Sequence, residues 1–187
     1  MNRFAAFVLL VLSSALACAG TPIGGDVMVR VEILDDVVHI EAEATIPASP
    51  SEVWEVLTDF ENLPKFISNI KASQVLARNG NVVRVSQTAK GGLGPFTMEF
   101  QSVRELTLFP FERFESRMIE GNMKRFRGTT RLEFAAGMTR IHYQSEAVPD
   151  TVLPLGLARS TIEAETREHY REISREVLRR KSLAPGN

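Results

Sequence analysis

Side chains able to do chemistry are sparse in this chain of 187 residues. It holds three histidines, His39, His142 and His169, and a single cysteine, Cys18. His39 and His142 keep the phase of the charged positions on two strand-like runs, so both should face water rather than converge on a metal. There is no glycine-rich phosphate cradle, no H-E-x-x-H pair and no nucleophile elbow. Cys18 lies in an amino-terminal leader, which leaves the fold without a thiol nucleophile. No catalytic residue, metal or cofactor is expected.

What remains is the chemistry of binding. Ser116, Thr130 and Ser145 share the phase of large apolar neighbours on three successive strand-like runs. Arg159, Thr166, His169 and Tyr170 lie on or beside the helical stripe that faces them. A buried polar group must find a partner, and a ligand headgroup or a trapped water can supply one. Taken singly, each has a plainer account: hydroxyls bond locally and Arg159 snorkels to the helix edge. Phe66, Met98, Phe100, Phe114, Met118 and Phe126, with Tyr143 and Ile162, are core candidates and, in a hollow fold, candidate cavity lining. Among these, His169, Tyr170 and Arg159 form the one cluster able to act as acid or base.

The elements that must position these groups are legible as rhythms. Val27, Val29, Val31 and Ile33 alternate with polar residues, and after Asp35-Asp36 the alternation resumes from Val38 to Ile46. These runs read as a hairpin or as one long bent strand. Ser49-Pro50-Ser51-Glu52 is a helix start, with Ser49 as cap, Pro50 in the first turn and Glu52 closing a capping box. Val53, Val56, Leu57 and Phe60 form its apolar face, Trp54 lies beside it as a structural residue, and Leu63-Pro64 opens a second short helix.

Alternating runs then continue to about Val148, with turns at Gly80-Asn81, Phe109-Pro110-Phe111 and Gly121-Asn122. Residues 89–95 carry three glycines and a proline and read as a mobile loop. From about Leu155 to Arg180 a helical stripe of Leu155, Ala158, Ile162, Thr166, Tyr170, Ile173 and Val177 appears. Its charged residues, Glu163, Arg167, Glu168, Arg171, Glu172, Arg175, Glu176 and Arg179, should lie mostly on a solvated face. The fold class is α+β: a curved antiparallel sheet of about six to seven strands around a long C-terminal helix, with two short helices after the first strand.

Charge excludes some partners. The formal net charge is -1, with no basic patch interleaved with aromatics, so nucleic acid is not expected. Residues 1–19 have a secretory grammar: Arg3, an apolar run from Phe4 to Leu12, then small residues. Ala17-Cys18-Ala19 fits an A-x-A cleavage site, while Ala15-Leu16-Ala17-Cys18 resembles a bacterial lipobox that would lipidate Cys18. Both readings stand. Residues 20–26 form a flexible lead-in, 27–181 one ligand-binding domain and 182–187 a disordered tail.

The segment from Ile46 to Trp54, the following Leu57-Thr58-Asp59-Phe60-Glu61-Asn62-Leu63-Pro64-Lys65-Phe66, the Gly128 strand and the final amphipathic helix resemble the START superfamily. This is the SRPBCC or helix-grip group. More narrowly the chain is similar to the polyketide cyclase/dehydrase and lipid-transport family that includes coenzyme Q-binding proteins. The resemblance covers residues 40–178. It implies a hydrophobic cavity roofed by the long helix and bulky apolar ligands such as lipids, quinones or polyketides. It supplies no universal catalytic residue.

The function expected is an exported, periplasmic binding or transfer protein for a hydrophobic small molecule, with membrane contact or a lipid anchor through Cys18. The alternatives are a cyclase or dehydratase on a polyketide-like substrate and an interaction module without a ligand.

Overall fold

The computed structural model describes residues 27–93, 96–151 and 155–184. The leader, its cleavage readings and Cys18 lie outside the described residues. Strand β1 (Val27–Leu34) turns directly into β2 (Val37–Ile46). Asp35 and Asp36 both take positive φ, 48° and 64°. That is the pattern of a type I′ hairpin turn, whose twist matches the flanking strands. The first two runs are therefore a hairpin, and the sheet has eight strands rather than six or seven.

Helix α1 (Pro50–Leu57) starts as its residues dictate. The Ser49 Oγ accepts from the Glu52 amide at 3.3 Å and the Glu52 carboxylate accepts from the Ser49 amide at 2.6 Å. Val53, Trp54, Val56 and Leu57 are buried. A short turn carrying Phe60 leads into α2 (Leu63–Phe66). Trp54 is structural in its surroundings, packed edge-on to Phe111 and Phe114 with centroids 6.1 Å away in each case.

Six strands follow: β3 (Ile70–Asn79), β4 (Val82–Leu93), β5 (Phe96–Phe109), β6 (Arg113–Gly121), β7 (Met123–Ala135) and β8 (Met138–Pro149). The sheet order is β1-β2-β8-β7-β6-β5-β4-β3. Every pair is antiparallel, and β2 meets β8 from Val38↔Ala147 to Ile46↔Thr139. His39 and His142 lie on the outer face as their phase requires, beside Glu146 and Glu43 respectively.

Of the loop expected at residues 89–95, the described part, 89–93, is strand. Strand β4 runs through Gly91 and Gly92, which pair with Met98 and Thr97. Glycine is needed there for close packing. A Cβ on Gly92 would lie 2.4 Å from the Thr161 methyl, and one on Gly91 would lie 2.8 Å from the Phe100 ring. The glycines let a helix approach the sheet, and their flexibility is not used for a loop.

That helix is α3 (Arg159–Leu183), preceded by a 3-10 turn at Leu155–Ala158. It packs on β1, β2, β4 and α1. Leu155, Ala158, Tyr170, Ile173 and Val177 of the stripe are buried. Glu176 departs from its expected place on the solvated face and is only 8% exposed. Its carboxylate accepts two bonds from Arg179 and one from Arg180, each 2.7 Å, and Arg180 also donates to Asp59. The end of α3 is thereby tied to the exit of α1.

Two separate apolar clusters anchor the helix. The larger includes Ile46, Val53, Val56, Ile67, Val85, Ile141 and Val177, and the smaller Val31, Val38, Leu155 and Ala158. Between these packed ends the sheet curves away from α3.

Candidate functional site: an internal cavity with one polar end

The space left between sheet and helix is a cavity of about 360 Å³. Its wall takes Val38, Leu57, Phe60, Leu63, Ile70, Leu106 and Leu155 from both clusters and the short helices. Of the residues singled out in the sequence, Phe100, Phe114, Phe126, Thr130, Tyr143, Ile162, Thr166, His169 and Tyr170 line it. Strand alternation and the helix stripe put them there.

The other candidates lie elsewhere. Arg159 does not reach the cavity; its side chain is 58% exposed and pairs with Glu163 at 3.5 Å. Position 159 opens the helix on its outward side, and a charged head with water available has no reason to turn inward. Phe66 packs on the larger cluster with the Arg180 guanidinium 5.5 Å above its ring. Met98 packs on the smaller cluster. Met118 stands opposite Arg104 in the register, its sulfur close to Gly121. Ser116 and Ser145 are buried, at 8% and 6% exposure.

One decisive residue was missed. Arg104 of β5 lines the cavity, and its guanidinium lies 5.5 Å from the centroid of the Phe126 ring. The signal for it exists: Phe100 and Ser102 hold the inward phase, and two residues on that phase reaches Arg104, then the buried Leu106. A cation on the apolar phase of a strand is the observation to notice. Gln87 and Asn69 also line the cavity; the Gln87 amide donates to Ser73 Oγ at 3.1 Å.

Arg104, Tyr143, His169 and Tyr170 form a polar end. The two phenol rings lie 5.8 Å apart, and His169 stands edge-on to Tyr170 at 5.5 Å. Arg104 and His169 are half-buried and border the cavity, and His169 also borders a hollow beside α3. Their charged forms are therefore poorly solvated. Burial, with the nearby Arg104 charge adding to it, lowers the His169 imidazole to about 4. Burial pushes the Tyr143 phenol up, against a smaller pull from Ser145 and Arg104. Burial likewise raises Tyr170 well above its ordinary value, with Tyr143 reinforcing it. Arg104 is also lowered by burial, though a guanidinium stays charged in proteins.

The mouth is identifiable. A hollow of about 290 Å³ beside α3 shares Asn69, Lys90, Gly91, Gly92, Glu165 and His169 with the cavity wall. There the Gly92 amide donates to the Glu165 carboxylate at 2.7 Å. Burial raises the Glu165 carboxyl, partly offset by that bond.

A larger furrow, about 650 Å³, lies on the outer sheet face. Within it Arg117 pairs with Glu105 and Arg127 with Glu146. It offers no apolar surface comparable to the inner cavity. Among the described residues no helix is long and apolar enough to cross a membrane.

A curved antiparallel sheet gripping one long helix over an internal cavity is the helix-grip fold. The chain belongs to the polyketide cyclase/dehydrase and lipid transport family, whose model matches residues 46–172. Among solved structures it is similar to the Zhui aromatase/cyclase from a Streptomyces species, with 19% identity over 81% of this chain and 99% of that one, TM-score 0.65. It is similar to a STAR-related lipid transfer protein from Xanthomonas axonopodis, with 15% identity over 81% and 93%, TM-score 0.64. A START superfamily protein from Mycobacterium smegmatis aligns with 14% identity over 75% and 97%, TM-score 0.61. At these identities the likeness establishes the fold. No curated protein matches the chain.

Proposed function

We propose that this protein binds a hydrophobic small molecule, a lipid, quinone or polyketide-like compound, between the sheet and α3, and carries it without transforming it. The observation behind this reading is a largely apolar internal cavity held open between two packed clusters. An apolar ligand entering it gains about 25 cal/mol for each Å² of apolar surface removed from water. The polar end supplies the few groups that orient it. The test is to strip the purified protein of bound lipid, expose it to a lipid extract and examine it by native mass spectrometry. A retained apolar compound is expected. Retention of nothing overturns the carrier reading.

The family name and the Zhui relative favour a second reading, a cyclase or dehydratase on a polyketide-like substrate. It is supported by His169, Tyr170 and Tyr143 meeting Arg104 at one end of the cavity. Against it, an imidazole lowered to about 4 is a weak base at neutral pH. Incubation with a linear poly-β-ketone separates the two: unchanged substrate supports the carrier, a cyclised product the enzyme.

We propose export on the grammar of residues 1–19, as a soluble periplasmic protein or a lipoprotein anchored through Cys18, with contact to a membrane following from its cargo. Cell fractionation and a Cys18→Ala variant test this. Failure to leave the cytoplasm overturns export, and an unchanged mass and membrane fraction in C18A overturns the anchor.

A further inference from the structure

We infer that the ligand is an amphiphile with a singly charged carboxylate head, held by Arg104 at the inner wall with its apolar body along the cavity. This rests on the carrier reading and names the ligand class. Arg104 makes no ion pair among the described residues, and its Nε has no hydrogen-bond partner. Burying a charge without a partner is costly, which is why buried guanidinium groups are nearly always matched by an anion. The cavity wall contains one carboxylate, Glu165, and that group is engaged at the mouth by Gly92. The remaining titratable neighbours do not supply a negative charge: His169 is neutral and both phenols are held protonated. The cavity wall thus holds two cations, Arg104 and Lys90, against the single carboxylate of Glu165, and Arg104 is the one at the polar end.

The cavity lining beside Arg104 points the same way: Phe126 lies under the guanidinium, and Tyr143, on the same wall, carries a phenolic hydroxyl able to donate. A guanidinium and a phenol suit the two oxygens of a carboxylate, which accept several bonds at once. A neutral lipid would leave the guanidinium unmatched, and an amine would add a like charge.

The experiment compares dodecanoic acid, 1-dodecanol and dodecylamine on the intact protein by calorimetry at pH 7.5. Dodecanoate is expected to bind at least about tenfold tighter than the alcohol, with the amine weakest. Arg104→Gln should remove the preference for the acid, bringing the acid and alcohol affinities within about twofold of each other. Equal affinity for acid and alcohol in the unaltered protein overturns this inference and leaves the carrier reading standing. Binding of none of the three overturns both. The comparison on the unaltered chain decides the matter even where a variant fails to fold.

Discussion

The amide of Gly92 donates to the Glu165 carboxylate at 2.7 Å, joining the end of β4 to α3 at the mouth of the cavity. Desolvation raises the carboxyl at this site more than the amide lowers it. A carboxylic acid raised in the folded state contributes stability that is complete below its unfolded value and is lost as pH rises through the folded one. Glu165→Gln, which keeps an acceptor but carries no charge, should therefore match the wild type at pH 4 and equal or exceed it at pH 8. Thermal melting at the two pH values checks this; a variant much weaker at pH 8 would contradict it.

The glycines beneath α3 make a steric prediction. Gly92→Ala places a methyl 2.4 Å from the Thr161 methyl and should cost about 1–3 kcal/mol by overpacking. Thr161→Ser removes the opposing methyl and should restore part of that loss. A double-mutant cycle in urea measures the coupling, and strictly additive effects would refute the contact.

Glu176 is held down to about 2, chiefly by the hydrogen bond from Arg179, with Arg180 adding to it. For a depressed carboxylate the stabilisation is present above the unfolded value and disappears as pH falls through the folded one. Glu176→Gln should destabilise the protein by roughly 1–3 kcal/mol at pH 7, the loss expected when a buried charge-assisted bond is removed. The difference from wild type should shrink between pH 4.5 and pH 2. Denaturation midpoints across that range provide the check.

His169 should stay neutral through the physiological range, titrating near 4 because burial disfavours its charged form and Arg104 adds to the effect. Arg104→Gln should raise its value while leaving it below that of a free imidazole. The carbon-bound imidazole protons, followed by NMR against pH, report both.

Ile162 faces the cavity from α3 and has room on its cavity side. Ile162→Trp should fill that space and abolish uptake of an apolar fluorescent probe, with little change in melting temperature. Undiminished uptake would place the binding site elsewhere, the outer furrow being the next surface to examine.

Several elements were readable because local physics suffices for them. The Ser49–Glu52 capping box, the hairpin turns and the stripe from Leu155 to Val177 depend on spacing and on residues close in sequence. Residues 89–93 were misread because glycine has two uses. Whether it loosens a loop or lets a helix come close depends on Thr161 and Glu165, about 70 positions away. Glu176 was placed on the solvated face by angle alone. Its burial is decided by Arg180, whose bond to Asp59 closes the groove against α1.

The chain of residues alone determined that a two-residue alternation would curl against a single terminal helix, because burial of one face per element follows from period and phase. Tertiary structure decided which cation looks inward. Arg159 and Arg104 are chemically identical, yet the former begins a helix beside water and the latter sits mid-strand opposite Met118, with Phe126 under its guanidinium. Only the closing of the sheet around α3 removes water from one and leaves it to the other.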